Sequence, residues 1–204
     1  MKTLLLASNN KGKLVEMQAI LAVLPVELIL PAQAGLNLDV VEDGQTYAEN
    51  AARKALAFSQ ATGLITLADD SGLEVDALGG RPGIHSARYA PLPGATDADR
   101  RAYLLKNLQG RPRPWHAHFH CTIAIAIPTA GGPAALQYAE GDCPGEIIPE
   151  ERGSDGFGYD PIFYLPEFGQ TMAEIGRTTK NQISHRARAI NAVVPILKAV
   201  VTGA

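Results

Sequence analysis

Residues 64–76 read Leu-Ile-Thr-Leu-Ala-Asp-Asp-Ser-Gly-Leu-Glu-Val-Asp. The apolar run Leu64 to Leu67, with two β-branched members, predicts a buried strand. It places the adjacent carboxylates Asp69 and Asp70 at the strand's exit, just before a glycine. Carboxylates at such an exit can hold a hard cation such as Mg²⁺, which takes one or two carboxylates, waters and phosphate oxygens; Glu42 and Glu74 are further oxygen donors. Neighbouring like charges repel unless a cation or divergent side-chain directions relieve them. The pair is therefore either a metal-binding element or a turn-forming Asx pair ahead of Ser71 and Gly72.

Working outward, Thr3 to Ala7 predicts a first strand, and Leu14, Met17, Leu21 and Leu24 predict a helix over 12–24 that Pro25 closes. Between them lies the polar turn Ser8, Asn9, Asn10, Lys11, Gly12, Lys13. A turn from a strand into a helix start suits an anion, and two lysines add charge. It lacks the longer glycine-spaced pattern of a P-loop, and an ordinary solvated helix start has the same residue types. A strand over 26–30 and an irregular loop with Asp39, Glu42 and Asp43 lead to Thr46, whose partner Glu49 completes a capping box for an alanine-rich helix ending at Gly63. The segment 72–94 is dense in glycine and proline and reads as irregular. Thr96 and Asp99 cap a second helix that runs to Gln109. Trp115 to Ile127 alternates as a long strand, turned by Gly131 and Gly132 into a partner over 135–140. A glycine-rich loop over 153–161 follows, and a last helix begins at about Ser184, with Pro195 expected to kink it.

The chain has 204 residues, 46% hydrophobic and 19% charged, with a net charge of -3. That balance argues for one globular domain, residues 1–204, and against a wide nucleic-acid surface, which needs clustered Lys and Arg. Cys121 and Cys143 form no disulfide framework or metal spacing, which fits a reducing cytoplasm. The apolar stretch Leu4 to Ala7 is too short for a signal-peptide core or a membrane span.

Other groups carry chemistry. His116, His118 and His120 alternate on one strand, as zinc ligands can, or as a solvent-facing polar strand edge does. His185 and Arg186 stand in the first turn of the last helix, where cations oppose the dipole, so an anion or carbonyl should reward them. Phe157 and Tyr159 can stack on a planar base or pack in a core.

Taken in order, SNNKGK at 8–13, ENAARKA at 49–55, ADDSGLEVDALGGRPGIHSARYA at 68–90, FHC at 119–121, GFGYDPIF at 156–163 and SHR at 184–186 resemble the inosine triphosphate pyrophosphatase family. The resemblance covers almost the whole chain. It implies an α/β fold with a long central mixed sheet and two lobes flanking a cleft. It also implies a dimeric, Mg²⁺-dependent enzyme that hydrolyses inosine, deoxyinosine and xanthosine triphosphates to monophosphate and pyrophosphate. On that resemblance Ser8, Asn10 and Lys13, within the 8–13 turn, bind the triphosphate together with Lys54. Glu42 and Asp70 hold the metal, and Asp70 accepts the proton. Ser71 touches substrate, and Phe157, Gly158, Tyr159, Asp160, Lys180, His185 and Arg186 surround the nucleoside. Donors at His185 and Arg186 would favour the position-6 carbonyl of inosine and xanthosine over the amino group of adenine. The chain departs from the family pattern at Asn9, where many relatives have Gly, and at Val41, where they often carry an acid.

Overall fold

The computed structural model describes residues 1–202. Seven strands form one mixed sheet in the order β2-β1-β3-β4-β5-β6-β7. They are β1 (Lys2–Leu6), β2 (Val26–Ile29), β3 (Ile65–Val75), β4 (Trp115–Thr129), β5 (Gly132–Ile147), β6 (Phe163–Leu165) and β7 (Gln170–Thr171). The helices are α1 (Lys11–Leu21), α2 (Tyr47–Thr62), α3 (Asp97–Leu108), α4 (Gly176–Ile183) and α5 (His185–Thr202). β1 pairs in parallel with β2 and β3, with Leu4 opposite Leu28 and Leu5 opposite Thr66. β6 is antiparallel to β5 and β7. The expected mixed α/β architecture is the one observed.

The chain divides into two compact units: Met1–Asp70, Cys121–Gly141 and the segment from Arg186 onward in the first, Ser71–His120 and Asp142–His185 in the second. In the first unit the two-residue period of the strands sorts side chains to two cores. Leu4, Leu6, Ile65, Leu67, Cys121, Ile123 and Ile125 face Met17 and Leu21 of α1 and Ala189, Ile190, Val193 and Leu197 of α5. Leu5, Ala7, Ala68, Ala124 and Ala126 face Ala51, Ala52, Ala55 and Phe58 of α2. Each fully buried Leu or Ile is worth about 1.5–3 kcal/mol over its exposed state. Alanine on both sides of the α2 contact brings that helix's backbone close to the sheet.

The second unit has its own core, in which Leu73, Val75, Trp115, Ala117, Phe119 and Ile147 meet Leu104 and Leu108 of α3 and Ile162 and Phe163. Both capping boxes form their N-cap bond. Thr46 Oγ1 accepts from Glu49 N at 3.1 Å, and Thr96 and Asp99 exchange bonds of 2.8 and 3.2 Å. Glu49 itself accepts from Gln45 N, one residue before the cap.

Several expectations need correction. Asp69 and Asp70 are not at a strand exit: β3 runs on to Val75, because Leu73 and Val75 bury as fully as the residues before the acids. The segment 72–94 is therefore partly strand, and it continues in 3₁₀ turns over Asp76–Leu78 and Gly83–Arg88. β5 begins at Gly132 and extends to Ile147, well beyond the expected partner strand. α4 was not expected at all, since its sequence GRTTKNQI carries one large apolar residue and no period. Ser184 caps the end of α4, donating its N–H to Lys180 O at 3.0 Å.

Candidate active site

α1 begins where β1 ends, and its N-cap is Asn10, whose Oδ1 accepts from Gly12 N at 2.8 Å and Lys13 N at 3.3 Å. Ser8 Oγ accepts from Asn10 N at 3.1 Å. The turn is thus closed by its own side chains, with Asn9 and Lys11 exposed. Lys13, one turn into the helix, reaches inward to Asp69.

The period of β3 sends the two acids to opposite faces. Asp69 lies on the α1 and α5 side, 1% exposed, with Lys13 Nζ 2.8 Å from Oδ2 and Arg186 Nε 3.4 Å from the same oxygen. Burial pushes its pKa upward, but Lys13, Arg186 and Lys54 outweigh that and hold the carboxyl well below the usual range. Arg186 is 2% exposed and also gives Nη1 to Glu16 Oε2 at 2.9 Å. Burial works against its charge, yet Asp69 and Glu16 keep it protonated. The anion expected to reward a cation in the first turn of α5 is therefore a pair of carboxylates from the chain itself. Beside them the Cys121 thiol is pushed up to about 12, chiefly by burial.

Asp70 lies on the α2 side. Asn50 and Lys54, four residues apart on that helix, share a face. Asn50 Nδ2 donates to Asp70 Oδ2 at 3.0 Å while its Oδ1 accepts from Gly44 N at 2.8 Å, tying the acidic loop to the strand. Lys54 Nζ donates to Asp69 O at 2.6 Å and pairs with Glu42 Oε2 at 3.2 Å. Burial raises the Asp70 pKa, the Asn50 bond and Lys54 offset part of that rise, and Glu42 and Asp69 add to it. Asp43 turns away to pair with Arg53. A pocket of about 180 Å³ in this unit is lined by Ser8, Asn9, Lys13, Asp39, Glu42, Lys54 and Asp69, among others.

Glu42 and Asp70 could hold a cation, whereas Asp69 is buried between Lys13 and Arg186. Two carboxylates without a protein cage fit Mg²⁺, which relies on water and phosphate for the rest. No group of three or more His, Cys, Asp or Glu suited to a metal exists among the described residues. The zinc alternative fails: His116 pairs with Glu146, His118 with Glu74 and His120 with Asp142. These histidines form a polar row facing away from the core, His116 exposed and His118 and His120 half-buried, alternating with buried Trp115, Ala117 and Phe119.

A profile of the Ham1 family matches residues 4–196. The chain belongs to the Ham1 family. This Ham1-family chain is 46% identical over 195 residues to the dITP/XTP pyrophosphatase of Desulforamulus reducens, covering 95% of this chain and 94% of that one. It is 50% identical over 191 residues to the dITP/XTP pyrophosphatase of Geobacillus kaustophilus, with 93% and 91% covered. A solved HAM1 protein from Coxiella burnetii superposes with a TM-score of 0.87 at 42% identity over the whole of both chains. The resemblance read from the motif blocks is borne out.

The remaining Ham1 motif residues belong to the second unit. Ser71 follows Asp70 in β3 and is half-buried. Asp160 is 3% exposed; its Oδ2 accepts from Lys180 Nζ at 2.6 Å and from Phe157 N at 2.9 Å. A side chain at Gly156 would collide with that carboxylate. Phe157 is 48% exposed, with Lys180 Nζ 5.0 Å from its ring centroid. Tyr159 takes the other alternative and packs in the core, its hydroxyl donating to Ser86 O at 2.9 Å. His185 stacks on Phe119 with ring centroids 4.8 Å apart and planes 18° apart.

Sequence reasoning missed Asn50, Glu16 and Phe119 as site residues. Asn50 left one signal, a poor helix former inside an alanine-rich helix. Glu16 left none, since an acid on a surface helix is ordinary.

Proposed function

We propose that the chain hydrolyses non-standard purine nucleoside triphosphates, dITP, ITP and XTP, to the monophosphate and pyrophosphate, and that Mg²⁺ is its cofactor. The observation that carries this reading is the split of Asp69 and Asp70. One acid is locked into ion pairs that aim Lys13, and the other is kept basic beside Glu42, Asn50 and Lys54. The names of the relatives agree with it.

Lys13, Lys54 and the turn from Ser8 through Lys11 and Gly12 supply positive charge and polar groups for the triphosphate. Asp70 accepts the proton of the attacking water, oriented by the hydrogen bond from Asn50. Glu42 and Asp70 would hold Mg²⁺, which would supply charge neutralisation on the phosphate oxygens. In the second unit Phe157 offers an exposed ring to the purine, backed by Ser71, Gly158, Asp160 and Lys180. Selectivity at position 6 rests on a donor at His185. A homodimer in the cytoplasm completes the reading. The two buried free cysteines suit a reducing compartment, and light scattering on the purified protein gives the oligomeric state.

The test is incubation of the purified chain with dITP and Mg²⁺, with anion-exchange analysis of products. The expected result is dIMP and pyrophosphate, with dATP and dGTP cleaved far more slowly. Release of orthophosphate, or no preference for dITP, would falsify the reading.

A further inference from the structure

Gly158 sits at a φ of +63°, a left-handed conformation, in the middle of the loop assigned above to the nucleoside. Both of its peptide groups are held by charged side chains of α3. Its N–H donates to Asp97 Oδ2 at 2.8 Å, and its carbonyl accepts from Arg101 Nη1 at 2.8 Å. Asp97 and Arg101 are four residues apart, so they project from one face of the helix.

Each clamp arm is itself braced. Arg101 grips Glu151 with its other two nitrogens, Nε to Oε1 at 2.8 Å and Nη2 to Oε2 at 2.9 Å, a bidentate arrangement that fixes the guanidinium plane. Asp97 pairs with Arg100. Burial pushes the Asp97 carboxyl up, but Arg100 and the Gly158 N–H together hold it below the usual range. From the other side of the loop, Asp160 takes the Phe157 N–H and Lys180. Neither Asp97 nor Arg101 falls in a motif assigned to substrate.

We propose that Asp97 and Arg101 are positioning residues that set the 156–160 loop for the purine nucleoside through the peptide groups of Gly158. The inference rests on the functional reading above and deepens it: nucleoside affinity is tuned from α3 without contact with the ligand. A recognition loop released from such a clamp loses affinity for the nucleoside while the phosphate chemistry stays intact.

The experiment compares the parent with Asp97→Ala, Asp97→Asn, Arg101→Met and Glu151→Gln, using dITP and the base-free substrate methyl triphosphate, each with Mg²⁺. Asp97→Ala and Arg101→Met are expected to raise KM for dITP by about 10–100-fold with kcat within about threefold, and to leave methyl triphosphate kinetics unchanged. Asp97→Asn keeps an acceptor oxygen and restores a KM near the parent's. Glu151→Gln loosens Arg101 without touching α3, so it gives a smaller rise in KM even if the α3 variants fold poorly. Amide hydrogen exchange at Gly158 is expected to speed up in Asp97→Ala, with α2 protection unchanged. Variants with the parent's KM for dITP, or with equal losses on methyl triphosphate, overturn the clamp. A parent that leaves dITP intact overturns the functional reading instead, and the two failures are distinguishable.

Discussion

The ammonium of Lys13 straddles the carboxylate of Asp69, 2.9 Å from one oxygen and 2.8 Å from the other. Arg186 approaches the same carboxylate from α5. Asp69 thus joins the start of α1 and the start of α5 to the middle of β3. Replacing it strands two cations in a buried place. Asp69→Asn is expected to lower stability by about 3–5 kcal/mol, the usual cost of breaking a buried pair, read as a drop in the urea midpoint. The pH dependence has a definite sign. A carboxyl held below its ordinary value contributes stability above about pH 3.9 and loses it as pH falls through the folded-state value. Acid unfolding of the parent is therefore steeper than that of the variant.

Asp70 has the opposite sign. Its pKa is raised in the folded state, so its ionisation costs stability as pH rises from the unfolded value through the folded one, and that cost is present at neutral pH. Asp70→Asn is expected to lower kcat for dITP by about a thousandfold or more, in the range seen for catalytic groups, while raising Tm by a few degrees. A variant with lost activity and lowered Tm would contradict the environment described here.

Asn50 bonds both the Gly44 N–H and the Asp70 carboxylate. Asn50→Ala leaves a buried N–H without its acceptor and frees the acidic loop that carries Glu42. A loss of about 10–100-fold in Mg²⁺ affinity is expected, as for other groups that orient metal ligands, measured by titrating activity against Mg²⁺. Unchanged metal dependence would show that Asn50 serves the helix alone.

The histidines of β4 provide a control. Each pairs with its own acid, so replacing His116, His118 and His120 together by Gln should leave dITP turnover within about twofold of the parent. Elemental analysis of the purified protein should find no stoichiometric zinc.

Much of this protein is legible without coordinates because it rests on local rules. The caps at Thr46 and Thr96, the stop at Gly63 and the alternation of Trp115 to Ile127 depend on residues within one turn or one strand of each other. The motif blocks likewise placed the chain in its family. What neighbours along the chain could not decide was how far β3 extends and which way its acids face. Two carboxylates side by side look equivalent in sequence. A strand sends them to opposite faces, and only the packing of α1 and α5 on one side and α2 on the other gives one acid two buried ion pairs and the other a hydrogen bond from Asn50. The same holds for Arg186, whose partners lie 117 and 170 residues away. Local propensity says nothing about contacts at that separation, because their strength comes from burial that exists only once the core has formed.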